Sequence, residues 1–235
     1  MSAPLVEIAA VVKSYGGAQP LRLDLLRLDR GERLTLAGFD AGAAETFIHL
    51  ITGAALPDEG DVRIAGTSTR GITTDTAWLS SLDRFGLVTE RAVLIEKLTL
   101  ADNLALPLTL SIDPIPESIR PQVEQIATDV GLPRDRLTAI VETLTPAERA
   151  RLHLARAIAT NPAVLLFEHS TRALDPAASA SLGATLKQVA DARGLAWIVF
   201  TDDERFARAA GGMRRRLDVG AGKLVETSLL KRWFG

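Results

Sequence analysis

The spacing of apolar and polar positions changes several times along the chain, and each change marks an element. Residues 5–12 (LVEIAAVV) are mostly apolar and run into a turn at Tyr15-Gly16-Gly17. Residues 20–30 (PLRLDLLRLDR) alternate at roughly period two, as a strand with one buried face does. RLTLAG (33–38) is an apolar strand ending at a glycine, and AAETFIHLITGA (43–54) has helical spacing. Residues 33–54 therefore predict a strand, a tight turn and a helix. Residues 56–90 predict turns and short strands, with a hairpin signal in PDEGDVRIAG. Residues 99–142 predict mostly helix, interrupted by prolines at 107, 114, 116, 121 and 133. Beyond them, PAERARLHLARAIAT is strongly amphipathic, AVLLFEHS reads as a buried strand, AASASLGATLKQVADARG as a helix and AWIVFTDD as another buried strand.

Strands alternating with helices at this spacing predict an α/β fold with a mainly parallel sheet and crossover helices. A region of short strands and turns precedes it. The expected organisation is one domain over residues 1–235 that carries a small helical insertion at about 91–143. No internal repeat or low-complexity tract occurs.

Composition narrows the function classes. Hydrophobic residues make up 47% of the 235 and aromatics only 5%, so the core is built from Leu, Ile, Val and Ala. A formal net charge of −2 gives no electrostatic case for nucleic-acid binding. The absence of cysteine excludes disulfides and Cys-ligated zinc. His49, His153 and His169 are too scattered for a convincing metal site. The N-terminus lacks the basic start and apolar run of a secretory leader, and no apolar stretch reaches the roughly 18 residues that span a bilayer. The expectation is a cytoplasmic protein that reaches a membrane only through a partner.

Residues 144–176, LTPAERARLHLARAIATNPAVLLFEHSTRALDP, resemble the stretch of ABC ATPases that runs from the signature loop through the Walker B strand to the D-loop. The helix LARAIATNP and the loop ALDP match closely. The resemblance extends over nearly the whole chain. Tyr15 falls where the family has an aromatic that stacks on adenine, residues 38–46 at the phosphate loop, 88–90 at the Q-loop and 201–203 at the switch-histidine loop. It implies an ABC ATPase (P-loop NTPase-like) core with an N-terminal antiparallel β-subdomain and an inserted helical subdomain. It also implies nucleotide positions at Tyr15, Gly38, Gly42, Ala44, Glu45, Thr46, Glu90, Thr145, Glu148, Glu168 and Asp175. Within the family the region looks most like small bacterial subunits of lipid, lipoprotein or cell-division systems.

The residues at those positions depart from what the chemistry asks. A phosphate loop needs glycines for close backbone approach, a lysine for the β/γ-phosphates and a hydroxyl for Mg²⁺. The loop GFDAGAAET keeps Gly38, and Thr46 follows intact. It puts Ala43 at the last motif glycine, Ala44 at the lysine and Glu45 at the hydroxyl. A like charge about 4 Å from a phosphate costs on the order of 4 kcal/mol at an effective dielectric near 20. A helix N-terminus returns only about 0.3–1 kcal/mol. An ordinary strand-to-helix turn is therefore the better reading of these nine residues. Glu168 replaces the Walker B aspartate, so metal contact there is displaced by one methylene. His169 stands at the general-base position and Asp202 at the switch-histidine position. The two types are exchanged relative to the family, and a His169–Asp202 pair is expected if the loops stay close. Glu90 replaces the Q-loop glutamine. Arg91 is the one nearby residue able to supply the missing cation. Thr145-Pro146-Ala147-Glu148 replaces most of the signature loop and reads as a helix start with capping-box spacing. Arg214-Arg215-Arg216 reads as a solvated strand end, and Gly220-Ala221-Gly222-Lys223 as a hairpin turn.

Chemistry is lost in this pattern while elements for contact are kept. The expected function is a degenerate ABC transporter nucleotide-binding subunit with little or no ATP hydrolysis. It would dock on an integral membrane transporter subunit, as a homodimer or beside an active ABC subunit. Two alternatives stand beside it: a divergent Mg-ATPase with Glu168 on Mg²⁺ and His169 as base, and a module that binds another ligand in the vestigial cleft. ATP and Mg²⁺ are cofactors only under the first alternative.

Overall fold

A computed structural model describes residues 3–17, 19–218 and 223–226. Strand β1 (Val6–Lys13) pairs antiparallel with β2 (Leu21–Leu28), from Val6 opposite Leu28 to Lys13 opposite Leu21. β3 (Arg33–Ala37) leads through Gly38-Phe39-Asp40 into α1 (Ala41–Thr52). β4 (Glu59–Ile64) returns along β1, and the short β5 (Thr67–Ser68) closes that edge. α2 (Asp75–Leu82) and β6 (Phe85–Thr89) follow. Next come α3 (Leu100–Ala105), α4 (Arg120–Asp129) and α5 (Pro146–Ala159). β7 (Val164–Glu168), α6 (Pro176–Arg193), β8 (Ala196–Phe200), α7 (Glu204–Ala210), β9 (Met213–Asp218) and β10 (Lys223–Glu226) complete the order.

The strands form one mixed sheet in the order β5-β4-β1-β2-β10-β9-β3-β8-β7-β6. β9, β3, β8, β7 and β6 run parallel to one another, and β1, β2, β4 and β5 pair antiparallel. The α/β reading and the antiparallel N-terminal region hold. Burial explains the unbroken apolar runs at 164–168 and 196–200. Leu165 and Phe167 of β7, with Trp197 and Val199 of β8, join one core with α3, α4, α5 and α6. Val164 and Leu166, with Ala196, Ile198 and Phe200, join a second core with β1, β2, β3 and α1. A strand buried on both faces has no polar phase, so alternation disappears.

Four sequence expectations need correction. Residues 56–90 contain the helix α2, capped by the Thr74 hydroxyl accepting from Ala77 N–H. Residues 99–142 are less helical than expected. Besides α3 and α4 they hold two single helical turns, at Arg134–Arg136 and Val141–Thr143. The alternation of β2 slips at its centre, where Asp24 and Leu25 are both exposed. Arg214-Arg215-Arg216 is not a solvated strand end: it lies inside β9, opposite Thr35, Leu36 and Ala37 of β3. The residues 220–222 read as a hairpin turn lie outside the described residues.

Candidate functional site

The loop between β3 and α1 sits at the carboxyl ends of the parallel strands, where open α/β sheets place ligands. Gly38 has φ of +76°, and a Cβ there would lie 2.9 Å from the Leu217 carbonyl oxygen, so geometry and space both demand glycine. Its N–H donates to Asp202 Oδ1 at 2.9 Å. Asp40 is the N-cap of α1, and its Oδ1 accepts from Ala43 N–H at 2.7 Å. Two backbone donors of the loop are thus held by the chain's own carboxylates. Ala43 and Ala44 are fully buried in the core under α1. Thr46 turns its hydroxyl back to the Gly42 carbonyl at 2.7 Å. The ring of Tyr15 packs beside Gly42, where a Cβ would meet it at 3.6 Å. Burial first, and then Asp40, push the Tyr15 hydroxyl above its usual pKa.

A cation comes from the far edge of the parallel strands, beyond β8 and β7. β6 ends at Thr89, and the following turn brings Arg91 between two carboxylates. Arg91 Nη1 pairs with Glu45, and Nη2 with Glu168 Oε2 at 2.5 Å. Thr89 Oγ1 donates to the same Glu168 oxygen at 3.0 Å. Glu168 is buried at 6% exposure, and a buried carboxylate needs such partners. Arg91 is the cation that sequence reasoning named, and it is already paired. Glu90 is not brought into this cluster. It is exposed and lines a separate cleft with Leu144, Pro146, Arg149 and His153.

His169 follows Glu168 in a left-handed conformation, φ of +45°, which a non-glycine residue adopts at a cost. Its N–H donates to the Phe200 carbonyl at 3.0 Å, while its ring Nε2 is buried without a partner. Burial first, then Arg172, lower its pKa. The expected His169–Asp202 hydrogen bond does not form among the described residues. The two line one cleft of about 630 Å³ together with Asp40, Arg172, Asp203 and Arg216. Asp202 is engaged by Gly38 instead, because a backbone N–H in a tight turn has no other acceptor at hand.

The helix-start reading of residues 145–148 is realised. Thr145 Oγ1 accepts from Glu148 N–H at 3.3 Å, and Glu148 Oε2 accepts from Thr145 N–H at 2.8 Å. Arg136 Nε adds a bond to Glu148 Oε1 at 2.7 Å, and this pairing first holds the Glu148 carboxyl below its usual pKa. Asp175 caps α6, accepting from Ala177 and Ala178 N–H at 2.9 and 2.8 Å. Asp40 is the functional position that sequence reasoning missed. Its signal was present, an Asp three residues before Ala43 at a strand-to-helix turn.

The ABC transporter family model matches residues 24–172. The methionine import ATP-binding protein of Brucella abortus is 32% identical over 86% of this chain and 54% of its own length. That of Leifsonia xyli is 29% identical over 97% of this chain and 67% of its own length. The chain spans about half the length of the first of these relatives. A dimeric ATP-binding cassette in a post-hydrolysis state, bound to ADP and phosphate, superposes with a TM-score of 0.75 at 25% identity. That match covers 94% of this chain and 98% of the other.

Proposed function

The chain belongs to the ABC transporter family as a nucleotide-binding domain, and we propose that it serves there as a structural or regulatory subunit that hydrolyses little or no ATP. The observation that carries this reading is the occupation of the loop and its surroundings by the protein's own charges. Asp40 and Asp202 hold backbone N–H groups that an incoming phosphate would use. Arg91 stands between Glu45 and Glu168, where the resemblance puts the metal and its ligands. The lysine position is a buried alanine. This donor set does not fit Mg·ATP: the lysine is missing, Arg91 is taken up by Glu45 and Glu168, and four carboxylates, Asp40, Glu45, Glu168 and Asp202, stand there against Arg172 and Arg216 of the same cleft. The signature-loop position is closed in the same manner. Pro146 has no N–H to donate, and Glu148 is bound into the cap of α5.

In this reading the subunit docks on an integral membrane transporter subunit at the cytoplasmic face. It pairs with a second copy or with an active relative. The role of the similar Brucella abortus and Leifsonia xyli proteins in methionine import makes an importer the natural setting. A second reading, a divergent Mg-ATPase, has one observation in its favour: His169 Nε2 is a buried, unpartnered imidazole nitrogen beside Glu168.

Isothermal calorimetry of the purified chain with ATP, with and without Mg²⁺, separates the two. No saturable binding up to about 1 mM, a binding energy weaker than roughly −4 kcal/mol, is the expected result. Micromolar binding with Mg²⁺-dependent hydrolysis that His169→Ala abolishes would overturn it and establish the second reading.

A further inference from the structure

One face of α5 carries Arg149, His153, Arg156 and Thr160, spaced as neighbours along a helix surface. None of the four is buried. Beside them, at the edge of the sheet formed by β6, lies a groove of about 210 Å³. It is bordered by Leu87 of β6, Ala92 in the loop beyond β6, Pro107 after α3, and His153, Arg156 and Thr160 of α5. The apolar part of this border is accessible. Leu87 is 41% exposed, and Ala92 and Pro107 are half-buried.

Arg156 is the one cation on this border, and it has no carboxylate partner among the described residues. Its Nη1 donates to the Val93 carbonyl at 2.7 Å. Its Nε and Nη2 make no bond there and are not sealed from solvent. Burial alone lowers its pKa, with no carboxylate acting in the other direction. The other charges of this face are already settled. Arg149 is held by both oxygens of Glu96. His153, its pKa lowered to about 4, is neutral at pH 7. The Ile158 carbonyl near the end of α5 accepts from Arg193 Nη1 at 3.0 Å. Glu90 borders the neighbouring cleft and not this groove. A half-buried guanidinium without a counter-ion is a standing cost that an arriving carboxylate removes. Nε and Nη2 together form the fork that matches the two oxygens of a carboxylate.

We propose that this groove binds a short monocarboxylate, its two oxygens on Nε and Nη2 of Arg156 and its apolar chain against Leu87 and Pro107. One negative charge balances the one free cation. The volume admits a molecule of a few carbons and excludes a helix, which is about 10 Å across. An accessible apolar border with a single well-placed polar group is the pattern of small-molecule sites. The groove lies at β6, three strands from β3, and its cation is not shared with the nucleotide cleft.

Isovalerate is the probe, titrated into the full chain and followed by NMR at the backbone amides of Arg156 and Thr160, beside isovaleramide and acetate. Saturable isovalerate binding is expected, roughly tenfold tighter than isovaleramide, and tighter than acetate. Arg156→Gln should weaken isovalerate by roughly tenfold and leave isovaleramide unchanged. Leu87→Glu sets a carboxylate on the border of the groove and should weaken isovalerate likewise, and it remains informative if Arg156→Gln does not fold. Absence of saturable isovalerate binding, isovaleramide or acetate binding as tight as isovalerate, or wild-type isovalerate affinity in either folded variant overturns the proposal. So does an acetylated and amidated Leu-Glu-Leu peptide that binds more tightly than isovalerate, because the groove would then serve an acidic side chain of a docked polypeptide.

Discussion

Arg91 and Glu168 are 77 positions apart in sequence, and they meet at 2.5 Å, Nη2 to Oε2, across the ends of neighbouring parallel strands. The contact is unequal. Glu168 has a side chain only 7% exposed, whereas Arg91 is 45% exposed. Removing the arginine leaves a buried carboxylate with the Thr89 hydroxyl as its remaining side-chain donor. Arg91→Ala is therefore expected to cost about 2 kcal/mol, less than a fully buried pair would lose. Glu45→Ala breaks the other arm, between groups 45% and 44% exposed, and should cost under about 1 kcal/mol. Urea denaturation of both variants checks the order. Equal losses would mean that Arg91 does not serve Glu168 in solution.

Asp40 and Asp202 pull the loop between β3 and α1 closed from two sides. Asp40→Ala should destabilise the chain by about 1 kcal/mol through loss of the α1 cap. The double variant Asp40→Ala/Asp202→Ala releases two backbone donors and removes two negative charges beside a helix N-terminus. It is expected to gain thermal stability in sulfate that the wild type does not gain. A sulfate response equal to that of the wild type would show that those carboxylates do not govern anion access.

The start of α5 offers a sharper test, because its two bonds are local. Thr145→Ala should cost about 1 kcal/mol. Glu148→Ala should cost more, since it also strands Arg136, which is bound at 2.7 Å. Guanidinium denaturation of the two variants, with unchanged slope, measures the difference.

That cap was legible in the sequence because Thr145 and Glu148, which exchange its two bonds, are three residues apart. The buried strands and the helices α1, α5 and α6 were legible for a related reason, since their apolar spacing or their closing glycines are local signals. Other features depend on distant parts of the chain. α2 is eight residues long, and among them only Ser81 is buried, so no apolar face announces it. Arg214, Arg215 and Arg216 read as a surface run because nothing nearby shows that β3 and β10 flank them. At the site, sequence placed Arg91 near the missing cation but could not place it on Glu45 and Glu168. It paired His169 with Asp202 by exchanging residue types, while the fold gave Asp202 the Gly38 N–H. Gly86 belongs to the same class. A Cβ there would lie 2.3 Å from the Ala157 carbonyl, a contact between β6 and α5 that no local pattern encodes.

The titration of His153 gives a pH prediction. This residue of α5 has its pKa lowered from 6.5 to about 4, by burial first and then by Arg156 and Arg149. The unfolded chain therefore takes up a proton near pH 6.5 that the folded chain refuses until about pH 4. The stabilisation is fully present above pH 6.5 and declines as pH falls through that window. The difference corresponds to at most about 3 kcal/mol. His169, lowered in the same direction by burial, adds to the decline. Carboxylates such as Glu148 and Asp58, whose folded pKa values are lowered, contribute only further into acid, below the ordinary values of 4.5 and 3.8. Urea midpoints taken between pH 7.5 and 5 should therefore fall for the wild type and fall less for His153→Gln. Parallel slopes for the two proteins would show that His153 is not held neutral in the fold.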